Sequence, residues 1–144
     1  MAGWVYNSYR NLGFLHAQRV SYTPASAAVQ AVLPVVNDLT LWPVLIELWK
    51  ESDPWRLTRC NVVKRFQSPW PIYVLLALVL AGIPPAAYAL YSLQSVPSLE
   101  AVTKLNNVGI LLNVISCLQA GVLLLIVNRV TRNQSERHAV LSAM

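Results

Sequence analysis

The residues PIYVLLALVLAGIPPAAYALYSL, from Pro71 to Leu93, decide the fold class of this chain of 144 residues. No charged side chain occurs between Arg65 and Glu100, so the whole stretch is uncharged. About 20 apolar residues suffice for a helix to cross the roughly 30 Å hydrocarbon layer of a bilayer. A helix also pairs every backbone polar group internally, as lipid requires. The stretch therefore predicts a first transmembrane helix over 70–93.

A second uncharged stretch lies between Lys104 and Arg129, and its core from Val108 to Val127 reads VGILLNVISCLQAGVLLLIV. It predicts a second transmembrane helix over 108–128, joined to the first by a loop at 94–107 and followed by a C-terminal tail at 129–144. Apolar residues make up 56% of the chain and charged residues 12%, whereas soluble domains carry about 25% charged residues. We therefore expect an all-α membrane protein built on a two-span transmembrane helical hairpin.

Basic residues flank this hairpin on one side. They are Arg56, Arg59, Lys64 and Arg65 before the first predicted span, and Arg129 and Arg132 after the second. Loops rich in Lys and Arg stay on the side that is not translocated, so both termini are expected there, with the 94–107 loop on the other side. The same bases suit anionic phospholipid headgroups. The net charge of +5 lacks the clustering of a nucleic-acid footprint, and no nucleic-acid partner is expected.

The segments before the hairpin predict helices that lie on the membrane. Residues 1–25 form an amphipathic arm, and residues 1–36 contain Arg10 and Arg19 but no acid, which resembles a mitochondrial targeting segment. This favours the mitochondrial inner membrane, with both termini in the matrix. Residues 26–69 predict interfacial helices and a basic juxtamembrane segment, because the apolar run at 26–46 is interrupted by two prolines and an aspartate. A third span over 26–46 is the alternative, and it would move the N-terminus to the opposite side.

Small residues in the first predicted span favour close helix packing. Ala77, Ala81, Gly82 and Ala86 are spaced so that another helix can approach closely. Pro84 and Pro85 remove backbone donors and predict a kink. The alternative is a broken helix that offers its carbonyl groups to an ion or a substrate.

The second predicted span carries a stripe of small and polar residues at intervals of three and four. The stripe consists of Gly109, Asn113, Ser116, Cys117 and Ala120. An amide in hydrocarbon needs a hydrogen-bond partner, so the stripe predicts contact with another helix. The alternative is the polar lining of a pore.

The sequence contains no recognisable catalytic or ligand-binding motif. His16 and His138 are isolated, and there is no glycine-rich phosphate loop, paired-cysteine motif or nucleophile with a nearby base. We expect no catalytic, cofactor-binding or metal site and no enzymatic activity. The prediction is a structural, accessory subunit of a large inner-membrane complex, of the respiratory chain or ATP synthase, in contact with other membrane subunits and lipid. A small homo-oligomeric channel or transporter is the alternative.

Overall fold

A computed structural model describes residues 1–15, 17, 20–31, 37–53, 68–92 and 99–143. Within these ranges the chain is all-helical and contains no strand. The helices are α1 (Ala2–Phe14), α2 (Pro24–Gln30), α3 (Asn37–Glu51), α4 (Trp70–Ser92) and α5 (Leu99–Ser142). The all-helical class expected from the sequence is confirmed for this part of the chain, and two of the helices are apolar and long enough to span a membrane.

Local sequence explains where α2 and α4 begin. The Thr23 hydroxyl accepts a hydrogen bond from the Ser26 amide at 3.2 Å, and Pro24 occupies the first helical position, where a missing N–H costs nothing. At the start of α4, the Pro69 carbonyl accepts the amides of Ile72 and Tyr73 at 3.0 and 3.3 Å. Each start thus pairs backbone groups that a helix terminus otherwise leaves open.

The first predicted span corresponds to α4, which has 23 residues and a length of about 34 Å. It continues through Pro84 and Pro85 as one helix. The kink expected at these prolines stays a prediction.

The second span belongs to a much longer helix than the pattern of charges indicated. Helix α5 has 44 residues, about 66 Å at 1.5 Å per residue. It begins at Leu99, inside the segment interpreted as a loop, and continues to Ser142 through the segment interpreted as a tail. Glu100 in the first turn pairs with Lys104 at 2.6 Å, and Arg132 pairs with Glu136 at 2.8 Å. Such i,i+4 pairs support a helix where its surface is polar.

The helices in the described part of the apolar run at 26–46 are α2 and α3, and residues 32–36 lie outside the described ranges. A third span over 26–46 stays an alternative. Helix α2 ends at Gln30, and α3 contains 15 residues, which reach about 22 Å and fall short of the roughly 30 Å hydrocarbon layer. The basic segment at 54–67, with Arg56, Arg59, Lys64 and Arg65, lies outside the described residues.

Two buried clusters join the five helices, and the second holds α3 against the hairpin. The first joins α1, α2 and α3 through Val5, Tyr9, Leu12, Ala27, Ala31, Val44 and Leu48. The second joins α3, α4 and α5 through Leu45, Trp49, Ile72, Leu75, Ile126 and Val130. We call the part formed by α1–α3, residues 70–75 of α4 and residues 126–142 of α5 the base. The remainder of the hairpin, residues 76–92 and 99–125, is the stem.

Candidate membrane-contacting surface and interhelical polar cluster

Large apolar side chains cover the outside of the stem. In α4 they include Leu80, Ile83 and Leu90, and in α5 Ile110, Leu111, Val114, Leu118, Leu124 and Leu125, each at least 49% exposed. Only 11% of the most apolar stretch of α4 and 6% of that of α5 are buried. A contiguous apolar surface of this kind indicates contact with a membrane or with other proteins.

Aromatic side chains mark both ends of α4. Trp70 and Tyr73 at its start are 58% and 54% exposed, and Tyr88 and Tyr91 near its end are 44% and 75% exposed. Tryptophan and tyrosine favour the headgroup layer because their rings are apolar at one edge and polar at the other. The separation of the two aromatic groups matches the two surfaces of a bilayer.

Within the stem, a glycine of α4 faces α5. A Cβ atom placed on Gly82 would lie 3.8 Å from Cγ2 of Ile115, an ordinary van der Waals distance. Gly82 and Ala86 are half-buried, whereas Ala77 and Ala81 are exposed. Of the four small residues predicted to mediate helix packing in the first span, Gly82 and Ala86 are therefore partly covered within the chain. Ala77 and Ala81 lie on its outer surface.

The small and polar stripe of α5 lies mostly on the outer surface. Asn113, Ser116, Cys117 and Ala120 are exposed, and Gly109 is half-buried with nothing within 4 Å of its Cβ position. The contact of the stripe with a second helix remains a prediction, and in the single chain the stripe is open to its surroundings.

A cluster of polar side chains, all buried except that of Asn11, connects the helices of the base, and sequence reasoning missed it. We call it the polar cluster; its members are Ser8 and Asn11 of α1, Glu51 of α3 with the following Ser52, and Gln134 and Arg137 of α5. Gln134 is its centre: its amide nitrogen donates to the Ser8 carbonyl at 3.1 Å and to the Ser52 hydroxyl at 3.4 Å. Its amide oxygen accepts from Asn11 at 3.5 Å. One side chain thus ties together three segments that are distant in sequence.

Arg137 holds the carboxyl end of α3. Its guanidinium donates to the backbone carbonyl of Glu51, and the side chain is only 2% exposed. The last carbonyls of a helix carry partial negative charge, so a cation is stabilising there. The signal in the sequence was the helical spacing of Val130, Gln134, Arg137 and Leu141, which places one half-polar face beyond the second span.

A second polar contact joins α1 to α3. The Tyr9 hydroxyl donates to the Val44 carbonyl at 3.3 Å, and its ring meets that of Tyr22 edge-on at 6.4 Å. Glu47 accepts the Ser21 amide at 2.7 Å. Burial raises the pKa of the Tyr9 phenol well above its usual value, and the nearby Glu47 carboxylate adds to that increase.

Three basic residues of the base are exposed. Arg129 and Arg132 on α5 and Lys50 on α3 are exposed, as expected of side chains that reach headgroups. Asn133, the first residue of an Asn-Gln-Ser glycosylation pattern, is 1% exposed inside α5. No glycan can be attached at a side chain so enclosed.

In the described ranges, no group of three His, Cys, Asp or Glu residues is placed to hold a metal ion. Cys117 is an exposed free thiol, while Cys60 lies outside those ranges. Comparison with protein-family models, curated proteins and solved structures finds no match in any of the three.

Proposed function

We propose that the chain is a membrane-embedded, non-catalytic accessory subunit of a large hetero-oligomeric complex, with the α4–α5 hairpin crossing the bilayer. The observation that carries the proposal is the outward position of Asn113, Ser116 and Cys117 on a helix otherwise covered by exposed aliphatic side chains. An amide in hydrocarbon is costly unless it is hydrogen-bonded, and a partner helix meets that need. In model peptides such a bond contributes about 1–2 kcal/mol.

The rigid base supports the same role. Helices α1–α3 pack together in the first apolar cluster and are fixed to the hairpin by the second and by the polar cluster, so the chain offers neighbours a preformed surface on one side of the membrane. The acid-free N-terminal 36 residues with their two arginines favour the mitochondrial inner membrane. There the neighbours would be subunits of the respiratory chain or ATP synthase, together with anionic phospholipids.

Native electrophoresis after mild-detergent solubilisation, with mass spectrometry of the co-migrating proteins, tests the proposal. The wild-type chain is expected in a large assembly containing other membrane subunits. Asn113→Leu is expected to weaken that association, while the matched control Val114→Leu, at an exposed aliphatic position beside the stripe, leaves it unchanged. A band composed only of copies of this chain would contradict the proposal and favour the channel alternative.

A further inference from the structure

The contacts of helix α3 with the hairpin indicate its depth in a membrane. Trp42 and Leu45 line a cavity of about 70 Å³ together with Val79 of α4 and Gln119 and Leu123 of α5. Further along α3, Trp49 belongs to the same buried cluster as Ile72 and Val130. The helix therefore lies lengthwise beside the two candidate spans.

The length of α4 then places part of α3 inside the hydrocarbon layer. A helix needs about 20 residues to cross that layer, and α4 has only 23, so about three of its residues can lie outside. Val79, about 13 Å along the axis from Trp70, must lie at the depth of the acyl chains if the hairpin crosses at all. Trp42 shares a cavity with Val79, and its ring centre is 6.2 Å from that of Tyr73 near the start of α4. It therefore lies between the depths of these two residues, in the outer part of the acyl-chain region.

The opposite end of α3 is at the polar boundary. The Glu51 carbonyl is held by Arg137, and Ser52 by Gln134, beyond the last residues of the predicted second span. Lys50 is exposed at this level, as is Arg132 on α5, and both charges complement anionic headgroups. Glu47 lies between the two ends of α3, and its carboxylate accepts the Ser21 amide. This charge therefore faces the N-terminal segment of the chain.

From these positions we propose that α3 is a one-leaflet helix: residues 41–49 contact the acyl chains of the leaflet on the side of the termini and do not cross the other leaflet. The proposal rests on the proposed insertion of the hairpin. Its consequence is a wedge, because α3 adds to the width of the hairpin in one leaflet and is absent from the other. The apolar outer side of α3, with Pro43 exposed and Trp42 and Ile46 half-buried, is then continuous with the lipid-facing surface of the stem.

Quenching of tryptophan fluorescence by brominated phospholipids tests this depth. The full chain is reconstituted into vesicles of phosphatidylcholine with or without bromines in mid-chain, retaining Trp42 alone and replacing the other four tryptophans with phenylalanine. The matched control retains Trp4 alone, which is also half-buried and packs on the same cluster as Trp42. Its ring N–H donates to the Thr131 hydroxyl at 3.4 Å, beyond residue 128, where the second predicted span ends. We expect Trp42 to lose most of its emission in the brominated lipid and Trp4 to lose little. Equal, weak quenching of both would overturn the proposal.

A second measurement covers the case in which the tryptophan replacements disturb folding. Pro43→Cys, with Cys60 and Cys117 replaced by serine, carries a nitroxide at an exposed position of α3. A label relaxed more strongly by oxygen than by a water-soluble nickel chelate is expected; the reverse order would contradict immersion. Labelling of Glu100→Cys across sealed vesicles, in the same preparation, reports whether the hairpin crosses. If the hairpin crosses the bilayer but the α3 probes stay in water, the one-leaflet helix is wrong and the proposed insertion of the hairpin stands. If the hairpin does not cross, both the proposed membrane insertion and the one-leaflet helix are wrong.

Discussion

The base and the stem place similar side chains in opposite surroundings. In the base, Leu48 and Val130 are fully buried and Gln134 is buried in a hydrogen-bonded cluster. In the stem, Leu118 is 53% exposed and Asn113 is exposed as well. A soluble domain could be built like the base, but the stem needs a nonaqueous neighbour because its outer surface is aliphatic.

Helix α5 belongs to both regions, and the change along it shows where the surroundings change. Leu124 and Leu125 are 62% and 56% exposed, whereas Ile126 and Val130 are fully buried. Beyond that point most of the exposed residues are polar, as in the Arg132–Glu136 ion pair. The boundary of the apolar surroundings therefore lies close to Arg129. The predictions below compare matched changes on its two sides, beginning with the largest expected effect.

Truncating a leucine should separate the two regions most clearly. Leu48→Ala removes a fully buried side chain from the cluster joining α1, α2 and α3 and is expected to lower the free energy of unfolding by about 2–5 kcal/mol. Leu90→Ala, at a position 67% exposed in the stem, should change it by about 0.5 kcal/mol or less. Thermal unfolding in mild detergent measures both. Similar losses would show that the stem side chain is also packed.

Introducing a charge should have a large effect in the stem and a small effect in the base, the reverse of the leucine truncations. Leu118→Arg places a cation near the middle of the 108–127 stretch, at a cost of about 2.5–3.5 kcal/mol on insertion scales. Ala139→Arg adds the same charge to an exposed position of the base and should be tolerated. The fraction of each variant retained in membranes after alkaline carbonate extraction is the measurement. Full retention of Leu118→Arg would argue against lipid at that surface.

Two glutamines on α5 offer the same substitution in both regions. Gln134→Leu removes hydrogen bonds to Ser8, Asn11 and Ser52 and should destabilise the base by about 1–3 kcal/mol, because buried partners are left unsatisfied. Gln119→Leu replaces an amide that lines a cavity of otherwise hydrophobic side chains, so it should be neutral or stabilising. Chemical denaturation of the two variants gives the comparison. Equal destabilisation would mean that Gln119 has a structural role of its own.

The smallest effect concerns the tyrosine between α1 and α3. Tyr9→Phe loses the 3.3 Å hydrogen bond to the Val44 carbonyl, worth about 0.5–1.5 kcal/mol. The folded-state pKa of Tyr9 is raised, so the native state keeps the proton while unfolded chains ionise above about pH 10. Stability from this group is therefore complete below pH 10 and is lost as the pH rises further. Unfolding midpoints of wild type and Tyr9→Phe from pH 8 to 11 should converge; parallel curves would contradict the assignment.

The two candidate spans could be predicted from the sequence because a lipid bilayer imposes a simple rule on the segments that cross it. A run of about 20 uncharged, apolar residues with internally paired backbone groups is sufficient, and both α4 and the centre of α5 satisfy it. The extent of α5 was missed because charged residues were taken as its ends. Charges end a span but not a helix, and no glycine or proline follows Gly121 to stop it.

The polar cluster and the position of α3 were beyond sequence reasoning for a different reason. Gln134 bonds to residues near positions 8 and 52, and no local pattern specifies such distant partners. The segment around α3 is apolar on more than one side because α1 packs on one face and the hairpin on another. That pattern resembles an interrupted span, which is why a third span and surface helices were both compatible with it.

The membrane crossing of the α4–α5 hairpin is tested most directly by accessibility in sealed vesicles. Single cysteines at Glu100→Cys and Ala139→Cys, both exposed positions, are introduced after replacement of Cys60 and Cys117, and an impermeant maleimide is added before and after permeabilisation. We predict that one site reacts in intact vesicles and the other only after permeabilisation. Reaction of both sites from the same face of intact vesicles would contradict the hairpin crossing.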